Sequence, residues 1–186
     1  MFSCLFVDYQ CLWLPPPDPI NDAECRNPTD VVESVDDDML EGLWYTVAGF
    51  NPLYDCYDCQ KLTFEVENGQ IKYYALFDAV LTNGTEIWPT AFMSGEDVSN
   101  PGRLELDGID NGLPDHQEWN VMLLTDDTMV VYYCGNILDQ WHFEGLLVMS
   151  RTYELNPERE TDVKRILDEL EISESEICSL DPADAC

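Results

Sequence analysis

Eight short runs of alternating apolar and polar residues occupy most of the chain from 43 to 151, and turn residues separate them. A period of two marks strands buried on one face. The runs are expected near 43–50, 61–67, 70–78, 86–93, 102–107, 118–125, 128–134 and 144–151. Between them stand Asn68-Gly69, Asn83-Gly84, Asn100-Pro101-Gly102, Asn111-Gly112 and Asp126-Asp127. An Asn-Gly pair suits a tight hairpin, because both central residues must tolerate positive φ. Asn83-Gly84-Thr85 also matches a glycosylation sequon, but the turn explains it fully. Eight consecutive antiparallel strands on short hairpins close into an up-and-down β-barrel, which leaves no exposed sheet edge. A β-sandwich is the competing arrangement.

The flanks read differently. Residues 1–41 form a cysteine- and proline-rich leader, in which Pro15-Pro16-Pro17-Asp18-Pro19 is barred from helix and central strand. The barrel is expected over 42–152, and 153–186 supply a helix and an acidic tail. Asn156-Pro157-Glu158 reads as an N-cap, a proline at the first helical position and an acidic first turn. Val163, Ile166, Leu167 and Leu170 follow at helical spacing, so one face can pack on the barrel.

Charge narrows the partners. Eight basic residues stand against 38 acidic ones, a formal charge of −30, which repels nucleic acid. No apolar run approaches the ~20 residues that span a bilayer as a helix. The first fourteen residues lack a basic flank and contain Asp8, so they do not read as a signal peptide. Cys4, Cys11, Cys25, Cys56, Cys59, Cys134, Cys178 and Cys186 make an even set, as expected of disulfides in an oxidising compartment. Cys56-x-x-Cys59 also fits half a zinc site or a redox dithiol. With only His116 and His142 as histidines and an all-β context, no metal is expected, and two separate disulfides are the better reading.

The most specific stretch is Asn51-Pro52-Leu53-Tyr54-Asp55-Cys56-Tyr57-Asp58-Cys59-Gln60, following Gly42-x-Trp44. Cys4 and Cys11 before a Pro-Asp-Pro segment, Val130-Val131-Tyr132-Tyr133-x-Gly135, Trp141 and Ser150-Arg151 occur in matching order. Over roughly residues 4–152 the chain resembles the lipocalin domain of the violaxanthin de-epoxidase family. Those enzymes work in the thylakoid lumen and remove epoxide oxygens from xanthophylls with ascorbate. The resemblance implies a lipocalin-like barrel in the chloroplast thylakoid lumen of an alga, soluble or peripheral to the membrane. It also implies a xanthophyll or other apolar small molecule as ligand. Gln60, Met93, Gln117, Trp119, Tyr133 and Met149 fall at its pocket positions.

Departures from the family bear on activity. The plant enzymes carry Gln-Asp-Asp-Trp in mid-barrel, with the first aspartate as proposed acid. Here His116-Gln117-Glu118-Trp119 places Gln117 at that position, and an amide does not donate a proton as a carboxylic acid does. Met93 and Met149 stand where a glutamine and a tyrosine are expected, making the pocket greasier. The expected function is therefore a relative without ordinary de-epoxidase activity. It would bind a xanthophyll or dock on a photosystem or light-harvesting antenna complex at its lumenal face, with no cofactor. The alternative is an active xanthophyll-cycle enzyme, a de-epoxidase using ascorbate or an epoxy-xanthophyll isomerase, with Asp55, Asp58 or Asp115 as acid. Of the residues near Gln117, Asp115 shares its face of the strand.

Overall fold

A computed structural model describes residues 6–7, 10–11, 25–52, 54–57, 59–80, 86–87, 90–97, 102–110, 112–137 and 141–180. Eight strands form the barrel: β1 Gly42–Gly49, β2 Cys59–Glu67, β3 Gln70–Val80, β4 Thr90–Asp97, β5 Arg103–Asp110, β6 Leu113–Leu124, β7 Thr128–Ile137 and β8 Trp141–Ser150. Each pairs antiparallel with its neighbour in sequence, and β8 returns to pair with β1. This is the expected closed up-and-down barrel. At the β2–β3 hairpin, Asn68 and Gly69 both take positive φ, 55° and 78°, as a tight Asn-Gly turn requires.

Several strands run further than the alternation suggests. The fifth continues to Asp110 and the sixth begins at Leu113, so their hairpin is much tighter than the sequence reading has it. The fourth is displaced to Thr90–Asp97, and Glu86–Ile87 forms a separate short pairing with β3. The leader's Pro15–Pro19 run, Cys4, Cys186 and Asn83-Gly84 lie outside the described residues.

Two apolar clusters result. Inside the barrel, Trp44, Leu62, Phe64, Ile71, Leu104, Leu106, Trp119, Val121, Met129 and Val131 pack with Met93 and Met149. A second cluster lies where Val130, Tyr132, Leu146 and Val148 meet Ile166, Leu167 and Leu170. This is why Met129 to Tyr133 is buried without interruption: one set of side chains faces the interior and the other faces the helix. That helix, α2 (Glu160–Glu169), is entered through a 3-10 turn at Pro157–Arg159, where the Asn156 side chain accepts from the Glu158 amide. The expected capping site therefore opens the 3-10 turn, one step before the α-helix.

One end of the barrel is plugged. The single-turn helix α1 (Asp37–Leu40) crosses it, and Trp44 Nε1–H donates to the Leu40 carbonyl at 2.8 Å. The Arg151 guanidinium lies 3.7 Å from the Trp44 ring centroid and donates to the carbonyls of Met39, Glu41 and Leu43. A cation stacked on the tryptophan face and bonded to three carbonyls closes this end firmly.

Disulfides join distant segments. Cys25 bonds Cys134 and Cys56 bonds Cys178, across 109 and 122 residues of sequence. Cys59 is disulfide-bonded separately from Cys56, so the Cys-x-x-Cys pair is divided between two bridges. The Cys56 bridge holds β9 (Cys178–Ser179), which pairs with Ala48 and Gly49 of β1. Thiol titration of the denatured protein without reductant is expected to find fewer than two thiols per chain. A count of six or more would contradict both this bridging and an oxidising compartment.

Candidate functional site

At the end opposite Trp44, the ends of β3, β5 and β7 and the starts of β2, β4, β6 and β8 surround a cleft. Tyr54, Tyr57, Gln60, Leu62, Tyr73, Ala75, Ala91, Asp110, Gln117, Trp119, Tyr133, Phe143 and Leu147 line it. The cleft measures about 450 Å³ with its open mouth included, but only about 40 Å³ of it is free to hold the centre of a water molecule. At ~10–15 Å³ per water, the deep part holds about three waters. Below it the side chains of Met93, Leu104, Leu106, Met129 and Met149 are fully buried in one apolar cluster.

Gln117 sits at the floor of the cleft, held through both ends of its amide. Its Oε1 accepts from Trp119 Nε1–H at 2.7 Å and from the Tyr73 hydroxyl at 3.2 Å. Its Nε2 donates to Asp115 Oδ2 at 2.5 Å. An indole N–H only donates, so this orientation of the amide is the one the network permits. Tyr73 and Trp119 lie 5.0 Å apart between centroids, which fixes both rings around the amide.

Two carboxyls stand beside it. Asp110 and Asp115 are inward residues on β5 and β6; Asp110 pairs with Leu113 and Asp115 with Gly108, so they sit diagonally across the hairpin. Burial, reinforced by the charge of Asp115, pushes the Asp110 carboxyl up to about 7. Burial raises Asp115 to about 6 against the opposing hydrogen bond from Gln117. Burial, then the charge of Asp110, lifts the Tyr57 phenol to about 12.

Asp55 occupies a different niche. It is fully buried, and its oxygens accept from the Asn51 amide at 2.8 Å, the Leu146 amide at 3.0 Å and the Tyr133 hydroxyl. Burial dominates these hydrogen bonds and raises its carboxyl to about 7. Two glycines make the room. A Cβ at Gly49 would lie 2.5 Å from the Asp55 Cβ, and one at Gly145 would lie 2.3 Å from the Tyr133 ring.

Of the residues singled out in the sequence, Gln60, Gln117, Trp119 and Tyr133 line the cleft, and Asp115 touches it through Gln117. Met93 and Met149 are buried in the packed interior below. Asp55 is held behind Tyr133 and is not among the lining residues. Asp58 lies outside the described residues. The sequence reading missed Asp110, Tyr54, Tyr57, Tyr73 and Phe143. Asp110 continues the inward alternation Leu104, Leu106, Gly108, a signal lost because the strand was expected to end at 107. Among the described residues, no cluster of three or more histidines, cysteines or acids is placed to hold a metal.

A closed eight-stranded barrel with a packed base, a flanking C-terminal helix and an open mouth lined by aromatics defines a lipocalin. The chain matches the family model of the VDE lipocalin domain over residues 2–182, and it belongs to that family. Chloroplastic violaxanthin de-epoxidase of Spinacia oleracea is 28% identical over 134 residues, which cover 68% of this chain and 28% of that protein. The chain thus matches little more than a quarter of that relative's length. Among solved structures, the amine binding protein of Rhodnius prolixus in its tryptamine complex superposes with a TM-score of 0.66 at 16% identity, covering 84% of this chain and 86% of that one. Lobster apocrustacyanin A1 gives 0.57 at 13% identity, covering 86% and 98%. At such identities the likeness is one of fold. Among the described residues, no helix is long and apolar enough to cross a membrane.

The raised acids predict a pH dependence of stability. Folded, Asp55 and Asp110 keep their protons to about pH 7 and Asp115 to about pH 6. Unfolded, they release them near ~4. Across that window the folded state binds more protons, so stability falls as pH rises from ~4 to ~7 and levels off above. The midpoint of thermal unfolding is expected to be higher at pH 5 than at pH 8. Asp55→Asn, which stays neutral, should flatten this slope; an unchanged slope would remove Asp55 as a contributor.

Proposed function

We propose that this chain is a lumenal xanthophyll-binding lipocalin of the violaxanthin de-epoxidase family without ordinary de-epoxidase activity. It takes the oxygenated ring of the pigment at the mouth of the barrel. The observation that carries the reading is Gln117, whose amide stands where the family resemblance expects the proposed acid and is held by Tyr73, Asp115 and Trp119. The aromatic lining suits a ring, and the packed base confines the ligand to the mouth. The mouth must widen to admit a ring, because its deep volume is only about 40 Å³.

Incubation with violaxanthin and ascorbate at pH 5 tests this reading. Pigment is expected to quench tryptophan fluorescence, with little or no de-epoxidised product. Gln117→Asp places a carboxyl at the floor, and a general acid contributes about 10²–10⁴-fold, so turnover should rise from background by at least tenfold. The raised carboxyls favour a second reading, an active enzyme with a relocated acid, because Asp110 and Asp115 hold protons at pH 5. Robust turnover by the unaltered chain that is lost in Asp115→Asn would replace the first reading with that one.

A further surface supports docking on a pigment–protein membrane complex. Leu43, Thr63, Tyr74, Phe92 and Ile109 pair in register across β1 to β5, forming an outward row. Leu43, Tyr74, Phe92 and Ile109 are all exposed, and the Tyr74 and Phe92 rings lie 5.0 Å apart. Exposed apolar side chains gathered in one place mark contact surfaces. Tyr74→Ser with Phe92→Ser is expected to weaken co-sedimentation with thylakoid membranes at pH 5 severalfold. Equal sedimentation of the two proteins would remove this row from any docking role.

A further inference from the structure

The polar atoms of the cleft are unevenly matched. Gln60 Oε1, Asp110 Oδ1 and Asp115 Oδ1 are buried without a hydrogen-bond donor. With both carboxyls ionised, all three are acceptors. Gln60 is 3% exposed and Asp115 4%, so neither oxygen is simply turned to bulk water. The direction of the Gln60 amide is fixed, because its Nε2 donates to the Tyr54 carbonyl at 3.3 Å and an amide oxygen has no hydrogen to give to a carbonyl. Several nearby donors are already directed elsewhere: Tyr73 and Trp119 give their hydrogens to Gln117, and Tyr133 gives its own to Asp55. Gln60 on β2 and Asp110 on β5, which line the cleft, and Asp115 on β6, which lies against Gln117, thus present surplus acceptors when the carboxyls are ionised, and these are costly to bury unless a donor meets them.

We propose that this wall of the cleft recognises a hydrogen-bond donor, so that it selects a hydroxyl-bearing ring over a ring whose only oxygen is an epoxide. An epoxide oxygen carries no hydrogen and brings a fourth acceptor to three. A ring hydroxyl donates to a carboxylate, and hydrogen bonds to charged groups are among the stronger ones. The inference rests on the ring-binding reading above and adds which ring. Gln60, Asp110 and Asp115 are its specificity determinants. Asp110 and Asp115 act here as acceptors, the reverse of the donor role a de-epoxidation acid would need.

Three carotenoids that share one carbon skeleton separate the possibilities: β-carotene with no oxygen, zeaxanthin with ring hydroxyls, and 5,6-epoxy-β-carotene with an epoxide alone. Quenching titrations at pH 8.5, where the two carboxyls are ionised, read their affinities. Zeaxanthin is expected to bind about 10- to 100-fold more tightly than the other two, the range of one charge-assisted hydrogen bond. The isosteric double variant Asp110→Asn with Asp115→Asn supplies amide donors and keeps the shape. It should strengthen binding of the epoxide and shrink the preference to below about threefold. Equal affinities for all three pigments in the unaltered chain would overturn the donor selectivity while leaving ring binding intact. A preference that survives in the double variant would overturn the assignment to these two residues. Binding of none of the three would sink the ring-binding reading and this inference with it.

Discussion

The carboxyl of Asp55 is the point on which the open end of the barrel hangs. It joins the loop after β1, through the Asn51 amide, to β8 through the Leu146 amide and to β7 through the Tyr133 hydroxyl. The neighbouring Cys56–Cys178 bridge attaches the C-terminal strand to the same corner. A side chain that gathers three elements in the absence of solvent must be precisely seated, and the glycines at 49 and 145 provide the space. The arrangement also fixes where Tyr133 points, and through it one wall of the cleft. Its cost is the burial of an ionisable group, which is why the carboxyl holds its proton to about pH 7.

The two ends of the barrel divide structure from chemistry. Around Trp44, an arginine, three carbonyls and a helical turn leave no room for a ligand. Around Trp119, polar side chains contact one another through a chain from Tyr73 to Gln117 to Asp115. The strand register is what makes this possible. Asp110 and Asp115 would be ordinary surface acids one residue earlier or later, because a shift of one turns a side chain to the opposite face. In a chain with 38 acidic residues, the informative acids are the few placed on the inside.

Much of this was legible in the sequence. The period-two runs and Asn-Gly turns disclosed the closed barrel, and the apolar spacing at Ile166, Leu167 and Leu170 disclosed the face of the helix that packs. The boundaries of β5 and β6 were not, for a physical reason. Asp107-Gly108 resembles a turn, and Pro114 resembles a break, yet both lie in strands whose pairing is sustained by the rest of the sheet. Losing those residues meant losing Asp110 as well. The disulfide partners were beyond reach because they close contacts more than a hundred residues apart, which no local pattern encodes.

Position 117 shows how one amide can set the chemistry of the cleft floor. Trp119, Tyr133 and Gln60 line the cleft around it. The amide at 117 bridges two groups that a carboxylate could not serve equally: it donates to Asp115 on one side and accepts from Trp119 and Tyr73 on the other. An ionised aspartate at 117 could accept from the rings but would face Asp115 with like charge. The amide and the acid at 115 therefore form a matched pair. An acid placed at 117 has to contend with Asp115, either by leaving one of the two carboxyls protonated or by replacing Asp115 as well. The two positions have to be read together, because the charge that one of them can bear is set by the other.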